Sequence, residues 1–329
     1  MVREDRINDF LNGRLFLLLV SVAYIIASLT EAASGRLPAP RVGNGMFFTM
    51  TGTLIENRLS SAIVNILCTL GTAALLLMFN HLYNFVRSFT FVFASMFVFM
   101  QMVNPFIGVQ FNAGSALCLV LMGCVFVLFG SYQQKSTSQR NIFLVFSVLS
   151  FCCSLQYVFL FLIPVFFIGF IQMRSMNFRG FLAFLIGLIT PYWIMIGLGI
   201  VDFNNFKLPQ MSNISDILES QQTWLLVGTT AFTAVLGIVL FVINIFTIFN
   251  YRLQIRVYNG FFILLTAMTI LIMVADYKNF PIYLPILNLC VAIQIAHTFT
   301  ISNHLRRYLF VLVLLVAGIA SFVAQSFAL

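Results

Sequence analysis

Residues 180–201 read GFLAFLIGLITPYWIMIGLGIV, an uninterrupted apolar run without a charged side chain. About 20 apolar residues in a helix cross the hydrocarbon core of a bilayer, each adding roughly 1.5 Å of rise. This run is therefore a membrane-crossing helix. The pattern repeats along the whole chain. Turn signals and charges cut the sequence into apolar runs at 15–30, 61–80, 88–103, 114–131, 141–156, 158–172, 180–201, 222–249, 259–275, 282–300 and 308–327. Composition agrees, because 61% of the 329 residues are hydrophobic and only 8% are charged. A soluble domain carries roughly 25% charged residues, and 8% cannot cover a surface facing water. The 39 Phe residues fall along the full length, so lipid is the solvent throughout and not at one anchor. The expected fold is all-α and polytopic, a single transmembrane domain over residues 1–329 with about eleven helices. The first run, 15–29, follows Glu4, Asp5 and Asp9. Those acids do not suit the positive leader of a signal peptide, so the run counts as the first crossing.

Orientation follows from the basic residues, which accumulate on the cytoplasmic side. With the N-terminus inside, the cytoplasmic segments hold Arg3, Arg6, Arg14, Arg87, Lys135, Arg140, Arg174, Arg179, Arg252, Arg256, Arg306 and Arg307. The outer segments hold Arg36, Arg41, Arg58, Lys207 and Lys278. This bias requires residues 141–172, divided only at Gln156-Tyr157, to cross twice. A single crossing would move Arg174, Arg179, Arg252, Arg256, Arg306 and Arg307 outside. The expected topology is N-terminus cytoplasmic and C-terminus outside, in a cell membrane. Outer loop 1 then spans 31–60 and outer loop 2 spans 202–221. The acids Glu31, Glu56, Asp202, Asp216, Glu219 and Asp276 all fall on the outer side, so acid chemistry is expected there.

The net charge of +8 is spread one or two residues per loop, which suits topology and lipid headgroups and gives no nucleic-acid patch. The six cysteines lie in apolar runs without a CxxC pair, and the three histidines have no metal-ligand spacing. No metal or other cofactor is implied by these residues. Polar residues inside the runs are amides and one imidazole, among them Asn65, Gln101, Gln156, Asn244, Asn288, Gln294 and His297. Interhelical hydrogen bonding is their expected role.

Outer loop 1, EAASGRLPAPRVGNGMFFTMTGTLIENRLSS, opens on Glu31 and continues through Arg36 and Arg41. Phe47, Met50 and Leu54 recur at helical spacing before Glu56 and Arg58, as in a short helix lying in the membrane interface. A carboxylate beside arginines at a membrane edge suits a lipid-linked phosphate. Arginine pairs with phosphate oxygens, and a carboxylate serves as a base or a metal contact. In outer loop 2, Ser212 or Asn213 caps a short expected helix carrying Asp216 and Glu219. Asp276 and Lys278 stand in a third outer turn, where they could complete a polar site with the first loop. The same loops are equally readable as solvated connections.

The order of these features resembles the GT-C membrane glycosyltransferases over residues 15–200. That superfamily has an N-in first helix, then an outer loop with an acid at its start and an interfacial helix. Residues 104–131, NPFIGVQFNAGSALCLVLMGCVFVLFGS, resemble its Pro-containing loop and following long helix. Residues 141–193 resemble its short helix pair, basic turn and Pro-aromatic helix, and also a family of polytopic membrane proteins of Bacteroidota. The resemblance implies a polyprenyl-phosphate-linked sugar handled at the outer face of a bacterial inner membrane. It implies Glu31, and after it Glu56, as catalytic base or metal contact, with a divalent metal if the chain is a transferase. Arg36, Arg41, Arg58, Asp276 and Lys278 would bind the substrate. The family usually carries Asp in the first loop and this loop has none, so a catalytically inactive relative stays open. Two other classes also stay open. A subunit of an envelope assembly needs a broad apolar side face for protein partners. A lipid or small-solute transporter needs a cavity open to one leaflet, lined by residues such as Gln294 and His297.

Overall fold

A computed structural model describes residues 10–34, 45–47, 57–86, 91–104, 107, 114–201, 221–248, 252–276, 280–301 and 304–328. Among the described residues the chain forms eleven α-helices and no strand. They are α1 (Arg14–Ser34), α2 (Arg58–Tyr83), α3 (Val92–Met102), α4 (Gly114–Gln133), α5 (Ser138–Leu155), α6 (Leu162–Gln172), α7 (Phe178–Gly197), α8 (Gln221–Thr247), α9 (Leu253–Ala275), α10 (Phe280–Ile301) and α11 (His304–Ala328). Each coincides with one expected apolar run. Eight contain stretches long and apolar enough to cross a membrane, and Val92–Met102, Tyr157–Gln172 and Phe310–Gln325 are shorter apolar helices. The protein is an all-α, multi-pass membrane protein.

Polar side chains set the helix ends. The Asn57 side chain accepts from the Leu59 N–H to start α2, and the Asn177 side chain accepts from the Gly180 N–H at 2.7 Å to start α7. At the far end of α2, Asn84 takes a left-handed φ of 46°. The Asn80 side chain then holds both polar groups of the Val86 backbone, accepting at 2.7 Å and donating at 3.1 Å. Gln156 breaks the run 141–172, with extended backbone at φ −148° and ψ 115°. A 3-10 turn over Tyr157–Phe161 follows, and the chain reverses. Phe170 of α6 comes back against Phe146 of α5, with ring centroids 5.7 Å apart. Ser138, at the start of α5, donates to the Ser175 carbonyl just past α6. The two short helices are therefore antiparallel neighbours.

The centre of the bundle is α10. It packs on α3, α4, α8 and α9, and 89% of its spanning stretch is buried. In α1, α7 and α8 only 28%, 22% and 28% of that stretch is buried, so these helices form the lipid-facing rim. Trp193 and Phe178 of α7 are each 77% exposed, which suits hydrocarbon and not water. Between hub and rim lies an aromatic core in which Phe79, Tyr83, Phe129, Tyr258 and Phe262 pack ring on ring. The six cysteines are free, five buried and Cys68 half-buried.

The two ends of the bundle differ in charge. Arg14, Arg140, Arg174, Arg179, Arg252 and Arg256 gather at one end, at helix starts or in the turn after α6. Glu31 and Asp276 stand at the other, together with Arg58. The interfacial helix expected across Phe47, Met50 and Leu54 and the short helix of outer loop 2 lie outside the described residues beyond Phe47.

Candidate functional site

A contact chain ties the acid end together. Residues 45–47 lie along the broken end of α5. The Met46 N–H donates to the Cys153 carbonyl at 3.3 Å, and the Phe47 N–H donates to the Ser154 carbonyl at 3.4 Å. Only glycine fits at Gly45, because a Cβ there would stand 2.6 Å from the Leu155 carbonyl oxygen. The break at Gln156 frees these carbonyls, which a continuing helix would have consumed. Phe47 also packs on Tyr192 of α7 at 5.7 Å. One residue past the break, the Tyr157 hydroxyl donates to Asp276 Oδ2 at 3.2 Å. The Tyr283 hydroxyl donates to the same oxygen at 2.9 Å. A carboxylate at the end of α9 is thus held by phenols from the α5–α6 reversal and from α10. Donors of this kind fix a carboxylate in place.

Beside this end a cleft of about 340 Å³ opens between α8 and α11, floored by α3 and α10. Phe99, Met100, Val103, Phe232, Leu236 and Leu314 supply most of its apolar wall. Thr229, Thr233 and Ser321 are its hydroxyl-bearing residues, and Gly228, Ala317, Gly318 and Ala324 keep its sides narrow. Gly228, Phe232 and Ala324 are exposed on the outward faces of α8 and α11, so the mouth opens sideways, toward lipid. At the acid end of the cleft, the Asn104 side chain donates to Thr229 Oγ1 at 3.2 Å. Asn104 Oδ1 is buried with no hydrogen-bond partner. The cleft exists because α11 packs only lightly, on α3 and α8, with Gly318 set against the Phe99 ring.

Of the catalytic and substrate-binding candidates expected from the sequence, Asp276 is the one placed in this geometry. Glu31 is half-buried in the last turn of α1, where the Ser34 hydroxyl donates to its backbone carbonyl. Arg58 is half-buried at the start of α2. Glu56, Arg36, Arg41 and Lys278 lie outside the described residues. Gln294 and His297 do not line the cleft. Gln294 instead donates to Thr266 Oγ1 at 2.6 Å, inside the packing of α9 and α10. Among the described residues no group of three or more His, Cys, Asp or Glu could hold a metal ion. Sequence reasoning missed Tyr283, used Tyr157 only as a divider, and named no residue of the cleft wall. A tyrosine at the edge of a span looks like an ordinary interface anchor, which hides its role. Comparison with family models, curated proteins and solved structures gave no match.

Proposed function

We propose that this protein handles a lipid-linked substrate, with the hydrocarbon chain in the cleft between α8 and α11 and the polar head at the acid end. The cleft carries the reading. Its volume is that of a ligand pocket, its wall is almost wholly apolar, and its mouth faces the bilayer. A water-soluble solute would find few hydrogen bonds there, while a prenyl or acyl chain enters from lipid without losing any. Asn104 and Thr229 lie where chain gives way to head. The GT-C resemblance supplies the chemical class of that substrate, a polyprenyl-phosphate-linked sugar at the outer face of an inner membrane. Glu31 would then be the base, and the loop arginines the phosphate contacts.

The test is photolabelling in native membranes with a diazirine-bearing polyprenyl phosphate. Adducts on Phe232, Thr233 or Leu314, lost on Ser321→Phe, support the reading. Label spread over the rim of α1 and α7 and unchanged by Ser321→Phe sinks it. A second reading, a partner helix of an envelope assembly seated in the same cleft, draws on the small residues Gly228, Ala317, Ser321 and Ala324, which let a helix backbone approach closely. It predicts a co-purifying protein that crosslinks to α11 and blocks the lipid label.

A further inference from the structure

Helices α8, α9 and α10 meet at Gly237, where a Cβ would lie 3.8 Å from Thr266 and 3.2 Å from Val291. Seven residues toward the arginine end, two helical turns, bring each helix to a polar group: Asn244 on α8, Asn259 on α9, and Thr298 beside His297 on α10. Contacts confirm the level. The Asn244 side chain donates to the Gln294 carbonyl at 3.5 Å, and Thr298 donates to the same carbonyl at 3.0 Å. Phe85 packs edge-on to His297 at 4.4 Å and touches Phe262 at 5.5 Å, one turn from Asn259. Asn244, Asn259, Thr266, Gln294 and His297 are all buried, none more than 1% exposed.

Over the two turns from Gly237 to this level, Asn244 Oδ1, Asn259 Oδ1, Asn259 Nδ2 and Gln294 Oε1 have no hydrogen-bond partner, Gln294 lying nearer Gly237 because its amide donates to Thr266. Four such atoms in a bilayer-spanning core are costly, and an apolar residue at any of these positions would avoid the cost. The set has three acceptors and one donor, so its complement is small, uncharged and rich in donors. A metal cation would suit the three oxygens but would face the Asn259 N–H group. The helices α8, α9 and α10 also hold no Asp or Glu between their ends to offset its charge. Water fits, since each buried molecule makes about three hydrogen bonds and gives two of them as donor. We propose that this two-turn stretch is a hydrated chamber, a binding site for a small cluster of water molecules enclosed by α8, α9 and α10. It is independent of the lipid cleft.

The experiment is radiolytic hydroxyl labelling of the purified full-length protein, because radicals born from a bound water oxidise the side chains beside it. Oxidation of His297 and Phe262 faster than of Phe146 and Phe170, equally buried rings in the α5–α6 packing, supports the chamber. Loss of that oxidation in Asn244→Leu/Asn259→Leu, with labelling elsewhere unchanged, assigns it to these amides. Asn259→Leu alone serves if the double variant does not fold. Wild-type His297 and Phe262 as slow as Phe146 and Phe170 overturn the proposal. So does fast oxidation that survives both substitutions.

Discussion

Tyr283 and Asp276 are joined across the α9–α10 connection, the hydroxyl donating to Oδ2 at 2.9 Å, and Tyr157 donates to the same oxygen. Three elements that are separate in sequence are fastened by one carboxylate oxygen. A hydrogen bond to a charged group contributes about 1.5–3 kcal/mol. Tyr283→Phe should therefore lower the unfolding free energy by roughly that amount, and Asp276→Ala should cost more, because both phenols lose their acceptor. Thermal unfolding in micelles of each variant and of Tyr157→Phe checks this. Equal melting of all three with the parent would mean that the triad carries no stability.

The docking of residues 45–47 on α5 depends on a side chain that is absent. In Gly45→Ala the new Cβ meets backbone, 2.6 Å from the Leu155 carbonyl oxygen, and backbone cannot swing aside as a side-chain tip can. The segment should lift, releasing the Met46 and Phe47 N–H groups and the Phe47–Tyr192 contact. Faster amide exchange at Met46 and Phe47, with α2 and α4 unchanged, is the expected result. Unaltered exchange would place the hold elsewhere.

The helices were legible because lipid imposes one requirement, an apolar run of sufficient length, which eight of them meet and three approach with shorter apolar stretches. The reversal at Gln156 was legible indirectly, since the positions of Arg174 and Arg179 demanded it. The identity of the hub was not. Helix α10 is the most buried and α7 among the least, yet both read as uniform apolar spans. In water, burial separates Leu from Lys. In lipid the same residue types serve core and rim, so the sequence does not say which faces meet. The cleft is made by such faces, and so Phe99, Thr229 and Gly318 gave no signal. Asp276 did, because acids are few in this chain and one closing a span stands out from the apolar run before it.

Two helix ends with the same geometry carry opposite residues. After α6, Arg174 is left-handed at φ 53°, with the Ser175 N–H donating to the Phe170 carbonyl at 3.1 Å. After α7, Gly199 is left-handed at φ 67°, with the Ile200 N–H donating to the Met195 carbonyl at 3.0 Å. A side chain in this conformation costs roughly 1–2 kcal/mol, and glycine avoids it. Gly199→Ala should destabilise by about 1 kcal/mol, while Arg174→Gly should gain up to about 1 kcal/mol. Melting midpoints should move in opposite directions. A shared direction would show that the Arg174 side chain contributes more than its backbone costs.

Asn80 closes the turn after α2 by holding the Val86 N–H and carbonyl together. Val86 is 3% exposed, so neither group has water to fall back on. Asn80→Ala strands both, at about 1–3 kcal/mol each. Asn80→Asp keeps an acceptor for the N–H but sets a carboxylate oxygen against the Val86 carbonyl, so it should rescue little. Expression and melting of the pair decide the matter. A stable Asn80→Asp variant would show that the accepting bond alone suffices.

If the cleft between α8 and α11 holds a hydrocarbon chain, ligand and fold are thermodynamically linked. A ligand that binds only the folded state at a hundredfold excess over its Kd stabilises by about 2.7 kcal/mol. In larger domains each kcal/mol moves the melting midpoint by roughly 2–4 °C, so a rise of about 5–10 °C is expected on adding polyprenyl phosphate to delipidated protein. Inorganic phosphate alone should produce none of this, because the chain supplies most of the buried area. A prenyl alcohol should produce most of it for the same reason. Ser321→Phe places a ring in the cleft beside Gly318 and should abolish the shift, measured against the variant's own ligand-free midpoint because the Gln325 side chain loses its Ser321 acceptor. A shift that persists in Ser321→Phe would move the lipid to another face of the bundle. A shift given by inorganic phosphate alone would move the binding energy from the cleft to the acid end.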